Sequence, residues 1–319
     1  MNSIKALVRR KVKHGVSIYR KRGLVALIDT LYHRWAGSIW DEILWQRSSR
    51  TLVNGDLKVS VGFGTLLVHP QDRGISKELA LYHVHEPVTT EFMKGFLKEG
   101  MVGIDIGANL GYYVLLEKRL VGNEGRIVAI EPVPRNLELL RQNIALNGLS
   151  GVTVVGGAVG ERDGVGTMFI SRSSNWHSLF PSCLCDGGAI EVPMCTLDSL
   201  VHRLQMPRVD FVRMDVEGYE ANILSGMKET LRKFRPRLLM EVHGNLLGHQ
   251  ETALLLKELK RLGYETQHLV EREFDLAWIR PAKPPHRKPF SIDELLNGAV
   301  GDVCFLAAFA ASSSGAAEG

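Results

Sequence analysis

The feature that most constrains this chain is the stretch Gly103-Ile104-Asp105-Ile106-Gly107-Ala108-Asn109-Leu110-Gly111, which heads a long alternation of strand-like and helix-like segments. Residues 102–106 read as a short apolar strand and 109–120 as the helix that follows it. A second strand is expected over 126–130, after the turn residues Gly122, Asn123 and Gly125. A helix over 136–147 puts Leu137, Leu140 and Ile144 on one face and stops at Gly148. Further strands are expected at 152–155, 209–214, 237–242, 264–270 and 303–308, with helices at 219–234 and 251–262. Such alternation predicts an α/β fold, a mainly parallel seven-stranded sheet covered by helices on both faces. Right-handed crossovers then place a ligand crevice at the carboxyl ends of the strands.

Around this core (101–270) the chain is organised in further pieces. Residues 1–50 are expected to be a basic helical extension, and 51–70, with Asn54-Gly55-Asp56 as a turn, a small β-meander. Residues 51–310 are taken as one domain, and 160–200 as an inserted hairpin or flap carrying two β-like runs, 167–170 and 190–194. The proline-rich run 281–289 is expected to be a loop, and 311–319 a disordered tail.

Composition narrows the function classes. Apolar residues are 45% and charged residues 23%, as in an ordinary globular chain, and the net charge of +4 gives no strong nucleic-acid signal. The first 22 residues hold Lys5, Arg9, Arg10, Lys11, Lys13, Arg20, Lys21 and Arg22 with no acid, a candidate peripheral contact with a membrane surface or a solvated helix face. No apolar window reaches the roughly 18 residues of a spanning helix, and no secretory apolar stretch follows the basic start, so the expected location is cytoplasmic. Cys183 and Cys185 form a CxC without an answering pair, and Cys195 and Cys304 stand apart, which does not make a zinc site; the thiols are expected to be reduced.

Four motifs carry chemistry. In the first, Gly107 allows a tight turn, Gly111 lets the helix start close to the sheet, and Asp105 stands at the strand end. The pattern is not the GxGxxG of dinucleotide sites; an acid ahead of the turn suits a cofactor with an ammonium group and a sulfonium centre better than one with a pyrophosphate. In the second, Glu131 follows Gly107 by 24 residues, where a carboxylate accepts hydrogen bonds from both ribose hydroxyls, and Pro132 turns the chain out of the ladder. The third is Asp215-Val216-Glu217-Gly218-Tyr219-Glu220, where a turn at Gly218 brings Asp215 and Glu217 to the crevice, or Glu217 and Glu220 form the acidic first turn of the next helix. The fourth is Glu241-Val242-His243, whose Glu241 and His243 share one strand face.

Taken together these stretches resemble the FkbM family of methyltransferases. The resemblance covers roughly residues 75–270 and rests on Val84-His85-Glu86-Pro87, Asp105 to Gly111, Ala129-Ile130-Glu131-Pro132, Gly157-Ala158-Val159-Gly160, Cys195-Thr196-Leu197-Asp198-Ser199-Leu200 and Asp215 to Glu220. It implies a Rossmann-like class I methyltransferase fold and S-adenosylmethionine as cofactor, with Asp105, Gly107, Asn109, Gly111, Glu131, Pro132, Ala158 and Asp215 around it. It also implies O-methylation of a hydroxyl on a sugar, glycan or secondary metabolite. Asp215 is then the first candidate to take the hydroxyl proton, with Glu217 orienting the acceptor and His243 or His177 as rival bases. No metal is assigned, although Asp215, Glu217 and Glu241 offer an alternative in which they gather Mg²⁺. Competing functions are N-methylation of protein or RNA, against which the absence of Asn-Pro-Pro-Tyr after the fourth strand counts, and a non-catalytic cofactor-binding partner. Residues 171–190 resemble the family only through a serine-rich turn, and residues 1–50 lie outside the resemblance.

Overall fold

The computed structural model describes residues 52–53, 55–181, 185–271, 292–294 and 304–310, together with Ile43 and Trp45, which are helical. The expectations for the basic amino end, the 281–289 loop and the tail lie outside the described residues.

A meander of β1 (Leu52–Val53), β2 (Asp56–Val61) and β3 (Gly64–Val68) leads into α1 (Ile75–Tyr82) and α2 (Pro87–Phe96). The alternating core follows as β4 (Val102–Ile106), α3 (Tyr112–Val121), β5 (Arg126–Glu131), α4 (Pro134–Leu146) and β6 (Val152–Gly156). The insert contributes β7 (Ala158–Val159), β8 (Gly164–Phe169), a 3₁₀ turn at Ser174–Trp176 and β9 (Ala189–Cys195). Then come α5 (Leu197–Arg203), β10 (Phe211–Met214), α6 (Glu220–Ser225), α7 (Lys228–Phe234), β11 (Arg237–Val242), α8 (Gly244–Arg261), β12 (Tyr264–Glu271), a short helix at Ile292–Glu294, and β13 (Cys304–Ala310).

The main sheet has seven strands in the order β12-β13-β11-β10-β4-β5-β6. Its pairs are parallel except for β13, which runs antiparallel to both β11 and β12. The chain winds outward from β4 to β6, then returns across the sheet to β10, so the switch point lies between β4 and β10. Successive side chains of the inner strands feed opposite layers. Ile104, Ile106, Val212, Met214, Leu238 and Met240 pack with the helices that follow β10 and β11, whereas Ile127, Ala129, Phe211 and Leu239 pack with α1–α4 and the meander. The expected hairpin within 160–200 is present as antiparallel β8 and β9, with β7 parallel to β9.

The structure differs from the sequence reading in two places. The sequence reading assigned no element to residues 71–100, which fold into α1 and α2. The single helix expected over 219–234 is two, broken at Gly226. A Cβ there would stand 2.1 Å from the carbonyl oxygen of Gly160, so the backbones touch. The second helix gets its own cap, Asp198 Oδ1 and Oδ2 accepting from the amides of Thr230 and Glu229 at 2.7 and 3.0 Å.

The meander docks on the core through amide side chains of α4. Asn143 Oδ1 accepts from the Leu67 amide at 2.6 Å, and its Nδ2 donates to the carbonyls of Leu67 and Leu110 at 3.0 and 2.8 Å. Asn147 repeats the pattern on Thr65, and Arg135 pairs with the buried Asp56. These bonds satisfy strand-edge groups that burial removes from water. Asn143→Leu orphans three of them, at roughly 1–3 kcal/mol for a buried unsatisfied group. We expect a loss of at least about 3 kcal/mol in urea unfolding, whereas Asn147→Leu, nearer the surface, costs less.

Candidate functional site

The carboxyl ends of β4, β5 and β10 open on a cavity. Gly107, Asn109, Glu131, Pro132, Ala158, Asp215 and Glu217 line it, together with His85, Tyr113, Asn136, Asn175, His177 and Arg213. Asp105, Gly111, Glu241 and His243 are not among the lining residues.

The glycine loop is held by its neighbour strand. The amides of Gly107 and Ala108 both donate to the Ile130 carbonyl, at 3.1 and 3.0 Å. Gly107 has φ +85°, and a Cβ on it would meet the Asp215 carbonyl oxygen at 2.1 Å, so no larger residue fits between β4 and β10. Asn109 has φ +51°, a conformation asparagine tolerates better than most residues. Its amide donates to Glu131 Oε2 at 2.8 Å, and its side-chain Nδ2 donates to the Ser174 carbonyl at 3.0 Å.

Glu131 is buried, with Oε1 accepting from the Val133 amide at 2.9 Å. Asn136 Nδ2 lies 3.4 Å from the same oxygen. Burial pushes its carboxyl up to about 7, against the opposing pull of these donors. The carboxylate at the cavity wall and the glycine cradle beside it fit the ribose and the chain of an adenosyl cofactor.

On the other side of the switch point β10 ends at Met214, and the chain turns through Glu217 (φ +49°) and Gly218 (φ +95°). This turn brings both Asp215 and Glu217 to the cavity, so the bend at Gly218 decides in favour of the crevice; Glu220 alone opens α6. Beneath them Arg213, fully buried, donates from Nη1 to Asp105 Oδ1 and from Nη2 to Asp215 Oδ2, each at 3.0 Å. Its guanidinium lies 3.9 Å from the centre of the Tyr113 ring, whose hydroxyl donates to Glu86 at 2.8 Å. Asp105 thus reaches the cavity through Arg213 instead of facing it: residues alternate along β4, and Ile104 and Ile106 take the other side. Burial raises the Asp105 carboxyl, opposed by Arg213, and raises that of Glu117 well above its ordinary range. Gly111 likewise serves as the N-cap of α3, packed against Leu140.

His243 caps α8 behind Glu217. Its Nδ1 lies 2.7 Å from Glu220 Oε1, and its Nε2 lies 3.3 Å from Glu217 Oε2 and 3.6 Å from Glu241 Oε1. Burial alone would lower its pKa, but the Glu220 hydrogen bond and the surrounding carboxylates raise it to about 9. His177 is the opposite case. Burial lowers it to about 4, and its Nδ1 accepts from the Ser171 amide at 3.0 Å. The neutral ring then carries its proton on Nε2, a donor and not a base.

The insert is tied down at three places. Ser174 meets Asp72 through its amide and its hydroxyl, both at 2.8 Å; Asn109 holds its carbonyl; and Ser178 Oγ donates to the Glu217 carbonyl at 2.8 Å. Asn109→Gly keeps the backbone turn and the amide bond to Glu131 but cuts one tie. One hydrogen bond is worth about 1 kcal/mol, so amide exchange over 171–178 should quicken about fivefold to tenfold while the rest of the sheet is unchanged.

The sequence reading passed over Arg213, Tyr113, Asn136 and any role for His85 beyond its place in a matching stretch. Arg213 had a signal, a lone charge inside the apolar run Phe211-Val212-Arg213-Met214.

This topology, with its reversed β13 and its cavity at the β4/β10 switch point, is the class I fold of the S-adenosylmethionine-dependent methyltransferases. A family model described as the methyltransferase FkbM domain matches residues 105–266, and the chain belongs to that family. Among curated proteins it is similar to the protein-L-isoaspartate O-methyltransferase of Triticum aestivum, 31% identical over 88 residues, or 28% of this chain and 38% of that one. A protein of the same description, protein-L-isoaspartate O-methyltransferase 1 of Archaeoglobus fulgidus, is 26% identical over 108 residues, covering 34% and 43%. The match therefore spans less than half the length of these relatives. Among solved structures, methyltransferase FkbM from Methylobacillus flagellatus KT aligns over 72% of this chain and 52% of its own at 20% identity, with a TM-score of 0.41. Aeropyrum pernix fibrillarin, solved with natively bound S-adenosyl-L-methionine, aligns over 81% and 84% at 14% identity, with a TM-score of 0.40. Among the described residues no helix is long and apolar enough to cross a membrane.

Proposed function

We propose that this chain binds S-adenosylmethionine between Gly107, Asn109, Glu131, Pro132 and Ala158 and methylates a hydroxyl of a sugar, glycan or secondary metabolite. The observation that carries the reading is the pair of carboxylates, Asp215 and Glu217, lining the same cavity as the glycine loop and Glu131. The cofactor supplies an electrophilic methyl group on a sulfonium. The chain's own residues have three tasks. Glu131 holds the ribose, its position fixed by the Asn109 and Val133 amides. Asp215, oriented by Arg213, takes the hydroxyl proton, and Glu217 orients the acceptor. Such positioned proton transfer contributes typically ~10²–10⁴-fold. The tied insert, with His177 Nε2–H as a donor, closes the acceptor side and limits water.

The test has two stages. Calorimetry with S-adenosylmethionine comes first. A panel of hydroxylated sugars and metabolites is then incubated with protein and cofactor, and mass spectrometry looks for one added methyl. Asp215→Asn should lower turnover at least about 100-fold while cofactor affinity changes little. Methylation confined to amines or carboxylates would overturn the hydroxyl assignment.

A further inference from the structure

Behind the cavity wall lies a cluster of which the methyl-transfer scheme uses only Asp215. Asp215, Glu241 and His243 each offer one ligand atom, and these atoms lie within 4.8 Å of one another. They stand at the carboxyl ends of neighbouring strands, Asp215 just after β10 and Glu241 in β11 with His243 just after it. Glu241 and His243 are buried, while Asp215 faces the cavity.

The imidazole supplies the second, independent observation. Nδ1 sits 2.7 Å from Glu220 Oε1, an arrangement in which the ring N–H donates to a carboxylate. That bond holds Nδ1 on Glu220 and turns Nε2 toward the cluster, where it carries a proton that a metal ion would displace. Nε2 is buried and makes no hydrogen bond among the described residues, although Glu217 Oε2 and Glu241 Oε1 lie 3.3 and 3.6 Å away. A histidine held from behind by a carboxylate, with its other nitrogen aimed at two more, is the supporting arrangement that metal-binding histidines show. A lone pair facing carboxylates is repulsive unless a cation, a proton or a metal ion, stands between them.

We propose that Asp215, Glu241 and His243 bind one divalent transition-metal ion. The set differs from the all-carboxylate group of the sequence reading by exchanging Glu217 for an imidazole nitrogen. Mixed carboxylate and imidazole donors suit Mn²⁺, Fe²⁺ or Zn²⁺ better than Mg²⁺, which takes oxygen ligands almost exclusively. Donors about 2.2 Å from one ion lie roughly 3.1–3.6 Å apart at octahedral or tetrahedral angles, so a pair at the outer limit of 4.8 Å closes by about 1 Å on binding. Three protein ligands leave positions open, and Asp215 carries the site to the cavity wall. With the ion bound Asp215 is a ligand, and the proton of the acceptor hydroxyl falls to Glu217. The metal site goes beyond the methyltransferase reading and does not depend on it.

The probe is Mn²⁺ alone, added to the full chain stripped by chelator and free of cofactor. Loss of the free-ion paramagnetic resonance signal should report one bound ion per chain, with a dissociation constant in the micromolar range. Asp215→Asn and Glu241→Gln, each isosteric, should weaken it at least tenfold, and far-ultraviolet circular dichroism checks that they fold. Directly coordinated imidazole adds nitrogen modulation to the spin-echo spectrum, which His243→Gln should remove. No binding at millimolar Mn²⁺ by wild-type protein that still binds S-adenosylmethionine overturns the metal site and leaves the cofactor reading standing. So does binding that is unchanged in Asp215→Asn and Glu241→Gln, or a bound ion without nitrogen modulation.

Discussion

Glu131→Ala should weaken S-adenosylmethionine binding at least about 100-fold by calorimetry. A buried carboxylate accepting from two ribose hydroxyls makes two charge-assisted hydrogen bonds, each worth about 1.5–3 kcal/mol. Every 1.4 kcal/mol is about tenfold in affinity. The substitution also strips the amides of Asn109 and Val133 of their acceptor, so the glycine loop loses one of its anchors. The pH dependence separates the charge from the shape. The carboxyl is pushed up to about 7, so near pH 6 it is mostly protonated and the binding-competent fraction falls to about one tenth. Wild-type affinity should therefore weaken about tenfold from pH 8 to pH 6, and Glu131→Gln should lack that component. Stability runs the other way. An acid whose folded pKa exceeds its unfolded value binds more protons when folded, so its contribution fades as pH rises from about 4.5 to 7. Glu131→Gln should thus gain stability relative to wild type over that window. A Glu131→Ala variant that binds cofactor like wild type would remove the ribose role.

The parts of this fold that could be read in the sequence are those set by local periodicity and turn chemistry. The strands β4, β5, β6, β10 and β11 announce themselves as short apolar runs, and Gly107, Gly148 and Gly263 punctuate them. Glu131 was legible because its place, one strand beyond a glycine loop, is fixed by the topology. Less was legible where long-range contact decides. The break at Gly226 comes from a backbone 66 residues away in sequence, that of Gly160. Asp105 and Arg213 are 108 residues apart and meet only because β4 and β10 pair in register. His243 is a strand-end residue in sequence, yet three glutamates surround it in space, and no spacing rule connects Glu217, Glu220 and Glu241 to one ring. The insert was legible as a hairpin, but its ties to Asp72 and Asn109 were not, since single hydrogen bonds between distant segments leave no periodic trace.

Arg213→Met should be the most destabilising single change in the core. The methionine matches much of the volume and can still pack on Tyr113, so the loss isolates the charge. Wild-type Arg213 offsets the burial of Asp105 and Asp215, and Glu117 lies close enough to feel it. Removing one partner of a buried ionic cluster typically costs about 3–5 kcal/mol, because the remaining charges are left without compensation. The neighbours have a partial escape, namely protonation. Asp105 and Glu117 already have raised pKa values from burial, and without Arg213 they rise further. Acids held protonated in the folded state and ionised in the unfolded state favour folding less as pH rises. The deficit of Arg213→Met in urea unfolding should therefore be smaller near pH 5.5 and reach its full size near pH 7.5. A variant that lost stability equally at both would point to packing as the cause. The same change frees Asp215 from its orienting bond at the cavity wall, so turnover should fall at temperatures where the variant is still folded. Arg213→Lys tests the geometry: one ammonium keeps the charge but cannot span Asp105 and Asp215 as the planar fork does. It should recover part of the stability and little of the turnover.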